Sequence, residues 1–474
     1  MRAFLRLYRR TALTFVFLVA AVFARSARGE PSFEILHGFA DDAGVGLSAL
    51  VESSDGNFYG TTLEGGVADS GAVFKMTPAG EVTTLHSFSG FDGSYPYAEL
   101  IESSDGSFYG TTAEGGAADD GTVFKITSSG EVTTLHSFSW PDGSAPLAAL
   151  VESSDGNLYG TTAGTQPGGP VHGAVTAFKI TPSGEHVTLH SFTPDEGRWP
   201  YAALIEAADG NLYGTLRDND SGGGTVFKLT SSGDLTTLHS FSGPDGRKPG
   251  AALIEGSDGS FYGTTTWGGT ADKGTVFKAS TTGEIITLHS FSGADGAEPD
   301  AALIESSDGN FYGTTTGGGA AGLGTVFKLT LSGELTTLHS FSGADGANPD
   351  AALIESSDGN FYGTTADGGP GGGGVVFRLS IENPTFLRGD CNDDGAVDVS
   401  DASCILNWQF LGGSPPGCVA ATNTNGDKGI DIADAIYLLG SLFLGSPPPA
   451  PPFPGCGPGT LPVDDQLGCE APNC

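Results

Sequence analysis

The sequence predicts an all-β, seven-bladed propeller of four-stranded blades followed by a small α-helical module, and three observations carry that expectation. One unit recurs seven times between Ser32 and Ser380. Each copy holds four short runs that alternate apolar and polar residues, the period of half-buried strands, with turn signals between them. The array is also out of phase: it begins on a fourth-strand segment (Phe33 to Phe39) and ends on a third-strand segment (Val375 to Ser380). The N-terminal strand can therefore complete the last blade and leave no open edge. A β-solenoid is the runner-up, but no capping segment is visible.

The segment before the ring is not part of it. Arg2, Arg6, Arg9 and Arg10 precede an apolar core from Thr11 to Ala24, with small residues at Ala24, Ala27 and Gly29 for cleavage. The core is shorter than the ~18–20 residues of a membrane span, so residues 1–29 are expected to be a secretory signal peptide; an uncleaved anchor is the alternative. No later apolar run is long enough to span a bilayer, and a secreted or cell-surface location is expected. The net charge of −36 argues against a nucleic-acid partner, because a phosphate backbone would be repelled. It favours solubility, and calcium where carboxylates cluster.

Residues 30–380 form the repeats. The clearest word is ESSDGNFYGTT, with its Asp at 55, 105, 155, 209, 258, 308 and 358. The second, VFK or a variant, ends at Lys75, Lys125, Lys179, Lys228, Lys278, Lys328 and Arg378. The third, LHSF or LHGF, has its His at 37, 86, 136, 190, 239, 289 and 339. In the sixth copy the four runs are AALIES, NFYGTT, GTVFKLT and ELTTLHSF. Asp-Gly between the first two and Ser-Gly between the last two signal tight hairpins, of type I′ where φ is positive. Gly 76 and Pro 27 would suit a low-complexity chain, but the glycines fall on the period. With its DGxxYGTT, GG and GTVFK elements, the stretch 33–380 resembles the bacterial Gloeo/Verruco tandem-repeat family. That resemblance implies little about activity.

After a link at 381–387, two twelve-residue loops appear within 388–446. The first places Asp390, Asn392, Asp394, Asp398 and Asp401 at loop positions 1, 3, 5, 9 and 12, with Gly395 at the sharp turn and the carbonyl of Ala396 at position 7. The second sets Asn423, Asn425, Asp427, Gly429, Asp431 and Asp434 in the corresponding places. Each loop is followed by an apolar helical stretch, Ala402 to Leu411 and Ala435 to Leu444. Paired loops that end in Asp and lead into helices resemble a type I dockerin. The resemblance implies two Ca²⁺ sites, folding coupled to calcium, and docking to a cohesin-like or other extracellular protein. Asn423 lacks the usual charge and Lys428 stands where Gly is favoured, so the second site is expected to be the weaker. The partner-selecting pairs are Val399-Ser400 and Ile432-Ala433, so no known cohesin follows from them.

All six cysteines, Cys391, Cys404, Cys418, Cys456, Cys469 and Cys474, lie in the C-terminal part, where 447–474 form a Pro- and Cys-rich tail. An even count behind a signal peptide reads as disulfides, with 15 possible connectivities.

No GxSxG elbow, HExxH or Walker loop occurs in the repeats. The seven histidines, one per blade, read as structural, and the repeated Asp as a turn residue. Symmetry breaks instead in the blade-to-blade loops. Phe91, Tyr95, Tyr97, Trp140, Trp199 and Tyr201 cluster in neighbouring early copies, while later ones read GADGAEPDAAL and GADGANPDAAL. Trp267 and a lengthened loop from Thr165 to Gly173, with His172, belong to the same face. Phe91, Tyr97, Trp140, Trp199, Tyr201 and Trp267 are thus candidate ligand-binding residues for a glycan or a protein.

The expected function is a secreted, non-catalytic binding or scaffold protein tethered through its C-terminal module, because the acidic positions mostly repeat in every blade. The alternative is a polysaccharide-active enzyme, a glycoside hydrolase or lyase. An asymmetric pair of carboxylates near the central channel would favour it, and Glu99 and Asp220 break the pattern.

Overall fold

The computed structural model describes residues 31–40, 46–164, 173–381 and, further on, 385–386, 391–392, 397, 399–411, 422–425, 430–444, 447–449 and 457–458. The signal segment, the 165–172 loop, four of the cysteines (Cys418, Cys456, Cys469, Cys474) and much of both twelve-residue loops lie outside the described residues. Pro31–Glu382 form one compact unit, and Asn383–Cys474 belong to a second.

The first unit is the seven-bladed ring. In the first blade Val51–Glu52 pairs antiparallel with Phe58–Thr62, which pairs with Ala72–Met76, which pairs with Val82–Ser87. Five further sheets repeat this order, with inner strands at Ile101–Glu102, Val151–Glu152, Ile205–Glu206, Ile254–Glu255 and Ile304–Glu305. The seventh runs Ile354–Glu355, Phe361–Thr365, Gly372–Ser380 and then Ser32–Ala40, so the N-terminal strand closes the ring as its phase requires.

Two local features differ from the expected ones. The AALIES run is a strand only at its Ile-Glu (or Val-Glu) pair. The alanine carbonyls before it are taken across the blade interface, as where Thr61 Oγ1 donates to Ala98 O at 3.2 Å and Thr111 Oγ1 to Ala148 O at 3.1 Å. The Asp-Gly hairpin is also not a two-residue type I′ turn. Gly56 N donates to Ser53 O and Ser53 N to Asn57 O, and only Gly56 has positive φ, at 75°. This is the longer turn that ends in a left-handed glycine, and Asp55 Oδ1 fixes it by accepting from Asn57 N at 3.0 Å.

The repeated words are explained by packing between blades. Tyr59 stacks on Phe108 of the next blade at 4.1 Å, and Tyr312 on Phe361 at 4.3 Å. The Gly of YGTT is a close approach: a Cβ at Gly110 would lie 2.6 Å from the Phe124 ring. The Asp of the DG word is more than a turn residue. Asp55 Oδ2 accepts from Tyr59 OH at 2.9 Å and from Lys75 Nζ at 2.7 Å. Six of the seven repeat histidines bring Nε2 to a carboxylate six residues on, from His86–Asp92 at 2.7 Å to His190–Glu196 at 3.1 Å, and His37 packs edge-on against Phe39 at 4.7 Å.

In the second unit α1 (Val399–Leu411) and α2 (Ile432–Leu444) pack through Ala402, Ile405, Ala435 and Leu438. Cys391 is bonded to Cys404, with Cα atoms 5.8 Å apart. Both helices begin three residues before the expected apolar run, which puts Asp401 and Asp434 in their first turns. A carboxylate is favoured there by the helix dipole.

Candidate functional site at the ring axis

The segments that lead into the seven inner strands converge on the axis and enclose a pocket of about 590 Å³. Two tiers of side chains line it. The residue after the loop proline, or its counterpart in the first blade, forms the outer tier: Leu47, Tyr97, Leu147, Tyr201, Gly250, Asp300 and Asp350. Two residues deeper lie six alanines and one carboxylate: Ala49, Glu99, Ala149, Ala203, Ala252, Ala302 and Ala352. The backbone that carries both tiers repeats seven times, but the chemistry does not. In the outer tier, apolar and phenolic groups come from the first four blades and acids from the sixth and seventh; the one carboxylate of the deeper tier, Glu99, comes from the second.

Gly250 leaves a gap in the outer tier that Arg217 fills. A Cβ there would lie 2.8 Å from the Arg217 guanidinium. Reaching over it, Arg217 lies 3.5 Å from Asp300 Oδ1 and sits over the Tyr201 ring at 5.7 Å. Thr266 Oγ1 also donates to Asp300 Oδ1. Asp300 thus has two donors, although burial on balance pushes its carboxyl up.

Asp350 is reachable by water through the mouth yet hemmed in by protein on its other sides. That confinement, with the neighbouring Asp300 and Asp367 charges, pushes it up to about 6 despite a backbone hydrogen bond. Glu99 makes no hydrogen bond among the described residues, and burial alone raises it. The Tyr97 and Tyr201 phenols are raised as well, chiefly by burial. The pocket therefore gathers carboxyls raised by burial and aromatic side chains in one cavity, which is the equipment of general acid–base chemistry.

The wall is tensioned. Trp199 has φ 59°, and Tyr95, Ala145, Lys248, Glu298 and Asn348, each also before a proline, have φ between 52° and 58°. A left-handed non-glycine residue costs roughly 1–3 kcal/mol, so these loops are held by the surrounding ring rather than by local preference.

Of the expected ligand-binding residues, Tyr97, Trp199 and Tyr201 line the pocket, whereas Phe91, Trp140 and Trp267 do not. Phe91 and Trp140 are exposed elsewhere, and Trp267 pairs through its backbone with Arg247. Glu99 and Asp220 are not brought together. Glu99 lies in the pocket, and Asp220 forms an exposed ion pair with Arg198 at 2.9 Å. Sequence reasoning missed Arg217, Asp300 and Asp350. The signal for Asp300 and Asp350 was the residue after the proline, which changes from Tyr or Leu in the early copies to Asp in the last two.

Of the proposed calcium ligands, Asn392, Asp401, Asn423, Asn425, Asp431 and Asp434 are described; Asp390, Asp394, Ala396, Asp398, Asp427 and Gly429 lie outside the described residues. Asp401 Oδ1 accepts from Cys391 N at 2.9 Å and Asn392 N at 3.2 Å, and Asp434 Oδ2 from Asp431 N at 2.9 Å. Both closing carboxylates are buried.

The Gloeobacter/Verrucomicrobia repeat model matches residues 7–223 and 203–397. No curated protein matches the chain. Among solved structures, a gluconolactonase from Xanthomonas campestris is 12% identical, over 75% of this chain and 92% of that one, at a TM-score of 0.42. Proteins named as 6-phosphogluconolactonases from Bacteroides fragilis and Bacteroides uniformis are 17% and 16% identical. They cover 69% and 61% of this chain, and 89% and 83% of their own lengths, at TM-scores of 0.44 and 0.43.

The expectation of a non-catalytic binding or scaffold protein is corrected at its premise, because the acids are not symmetric: Glu99, Asp300 and Asp350 break the seven-fold pattern inside one pocket.

Proposed function

The chain belongs to the Gloeobacter/Verrucomicrobia repeat family, and from its axial pocket we propose a hydrolase of small, hydroxyl-rich ring substrates of the sugar-lactone class. The observation that carries this reading is the gathering, in one pocket, of the acids Asp300 and Asp350 with Trp199, Tyr201 and Arg217. A sugar-sized ring stacks its C–H face on the aromatic side and turns its hydroxyls toward Asp300 and Arg217. Asp300, the better supplied with donors, is the base that takes a proton from water. The resulting hydroxide adds to the carbonyl carbon, the ring C–O bond breaks, and Asp350 gives its proton to the departing oxygen. The product is the open hydroxy acid, and the two aspartates exchange protons with solvent to reset.

The test is turnover of a panel of aldonolactones, with aryl glycosides beside it, by wild type and Asp350→Asn. Lactone opening that is lost in the variant supports the proposal. Turnover of glycosides alone, or of nothing, overturns it.

For the second unit we propose two Ca²⁺ sites, at Asp390 to Asp401 and at the weaker Asn423 to Asp434, with docking to a cohesin-like or other extracellular protein after secretion. The buried Asp401 and Asp434 support the loops, and exposed Phe410, Leu411, Ile436, Phe443 and Leu444 on the two helices supply apolar contact area. Calorimetric titration of calcium-stripped protein with Ca²⁺ checks the sites. Two binding events, one of them lost in Asp401→Ala, support the reading; heat no larger than that of dilution overturns it.

A further inference from the structure

The outermost strand of each blade begins with a residue that packs inward: Val82, Val132, Leu235, Ile285, Leu335 and, in the closing strand, Phe33. In the third blade that residue is His186. Phe33 shows the usual arrangement, its ring stacked on His339 of the preceding blade at 3.9 Å. His186 stacks in the same way on His136, at 4.2 Å and 6°. An imidazole in an apolar site brings a nitrogen that must be satisfied, yet the buried His186 Nε2 makes no hydrogen bond. Beside it, His136 Nε2 lies 2.9 Å from Asp142 Oδ2, on the connection between the two blades.

We propose that His136, Asp142 and His186 bind one divalent ion of the Zn²⁺ class at the outer edge between the second and third blades. Each residue offers a ligand atom, and the three atoms lie within 4.8 Å of one another. Two imidazoles and a carboxylate are a donor set that Zn²⁺ takes at about 2.0–2.2 Å, with a fourth position left for water. The atoms therefore need to draw in by about 1 Å, and the parallel rings must splay; both follow from rotation about side-chain bonds. Asp142 is held ready, because its Oδ1 accepts from Ser139 N at 2.8 Å and leaves Oδ2 directed at His136. Entry is open, since the His136 and Asp142 side chains are 18% and 25% exposed. The ion takes the place of the contact between His136 Nε2 and Asp142 Oδ2.

The test is Zn²⁺ titration of the full chain in calcium-saturated buffer, read by competition with a chromophoric chelator and by thermal unfolding. Wild type is compared with His186→Val, which restores the residue that two other blades carry, and with Asp142→Asn. The expected result is one equivalent bound by wild type beyond that of either variant, with a Zn²⁺-induced rise in unfolding temperature that both variants lack. Equal stoichiometry and equal thermal shift in wild type and His186→Val would overturn the proposal, as would no binding by wild type.

Discussion

The Ser357 hydroxyl donates to Glu52 Oε1 at 2.7 Å and the Ser357 amide to Glu52 Oε2 at 2.9 Å, which ties the seventh blade to the first. The same clasp joins Ser307 of the sixth blade to Glu355 of the seventh, at 2.8 and 3.0 Å. Closure is thus as tight as that interface between consecutive blades. Glu52→Ala and Glu355→Ala should each lower the unfolding free energy by about 1–3 kcal/mol, and by equal amounts, in urea denaturation. A silent Glu52→Ala beside a damaging Glu355→Ala would mean that the ring is open in solution.

Asp350 should set the upper limit of activity. Its carboxyl, ordinarily at 3.8, stands at about 6, so the proton needed by a general acid is lost as pH rises through that value. kcat/KM should fall above about pH 6, and Asp350→Asn should lower kcat at least ~100-fold. The sign for stability is the opposite of the usual aspartate. Between 3.8 and about 6 the folded state binds more protons than the unfolded one, so this group lowers stability as pH rises. Asp350→Asn should therefore unfold at a higher temperature than wild type at pH 8, and no differently at pH 3.

Trp199 tests the aromatic wall. Trp199→Ala should raise KM about tenfold with kcat little changed, because stacking holds ground and transition states alike. Trp199→Gly should do the same, yet be about 1 kcal/mol more stable than Trp199→Ala, since glycine accepts the left-handed backbone and alanine does not. Equal melting temperatures for the two variants would refute the strain.

Acid stability should rest on the Asp–Tyr–Lys clusters. Burial tends to push Asp105 up, but the Lys125 ammonium, the Ser107 amide and the Tyr109 hydroxyl outweigh it and hold it at about 2. A carboxylate depressed in this way stabilises the fold above its ordinary 3.8, and that contribution is lost as pH falls from there to about 2. Lys125→Met should shift acid unfolding, followed by circular dichroism, toward higher pH.

The ring was legible because each of its parts repeats. Tyr59, Gly60 and Asp55 each answer a packing or turn requirement that recurs in every blade, so the period exposes them. The site was less legible for the same reason. Asp300 and Asp350 read as ordinary acidic replacements in variable loops, until the seven copies are arranged about one axis and both face inward. Arg217 is harder still: its place depends on the absence of a side chain at Gly250, in a different blade. Tyr97, Trp199 and Tyr201 could be named because aromatic residues in loops stand out, but nothing in sequence separates them from Phe91 and Trp140, which point elsewhere.

The strand Ser32–Ala40, which pairs with Gly372–Ser380, also dictates an order of events. It lies at the start of the ring sequence and finds its partner only after the last blade has emerged. Six blades can assemble as the chain is made, but throughout that time the first segment must stay unpaired and the growing array must carry a bare edge. Maturation of this protein is therefore timed by its final repeat, and any truncation before Ser380 strands the first segment together with the last.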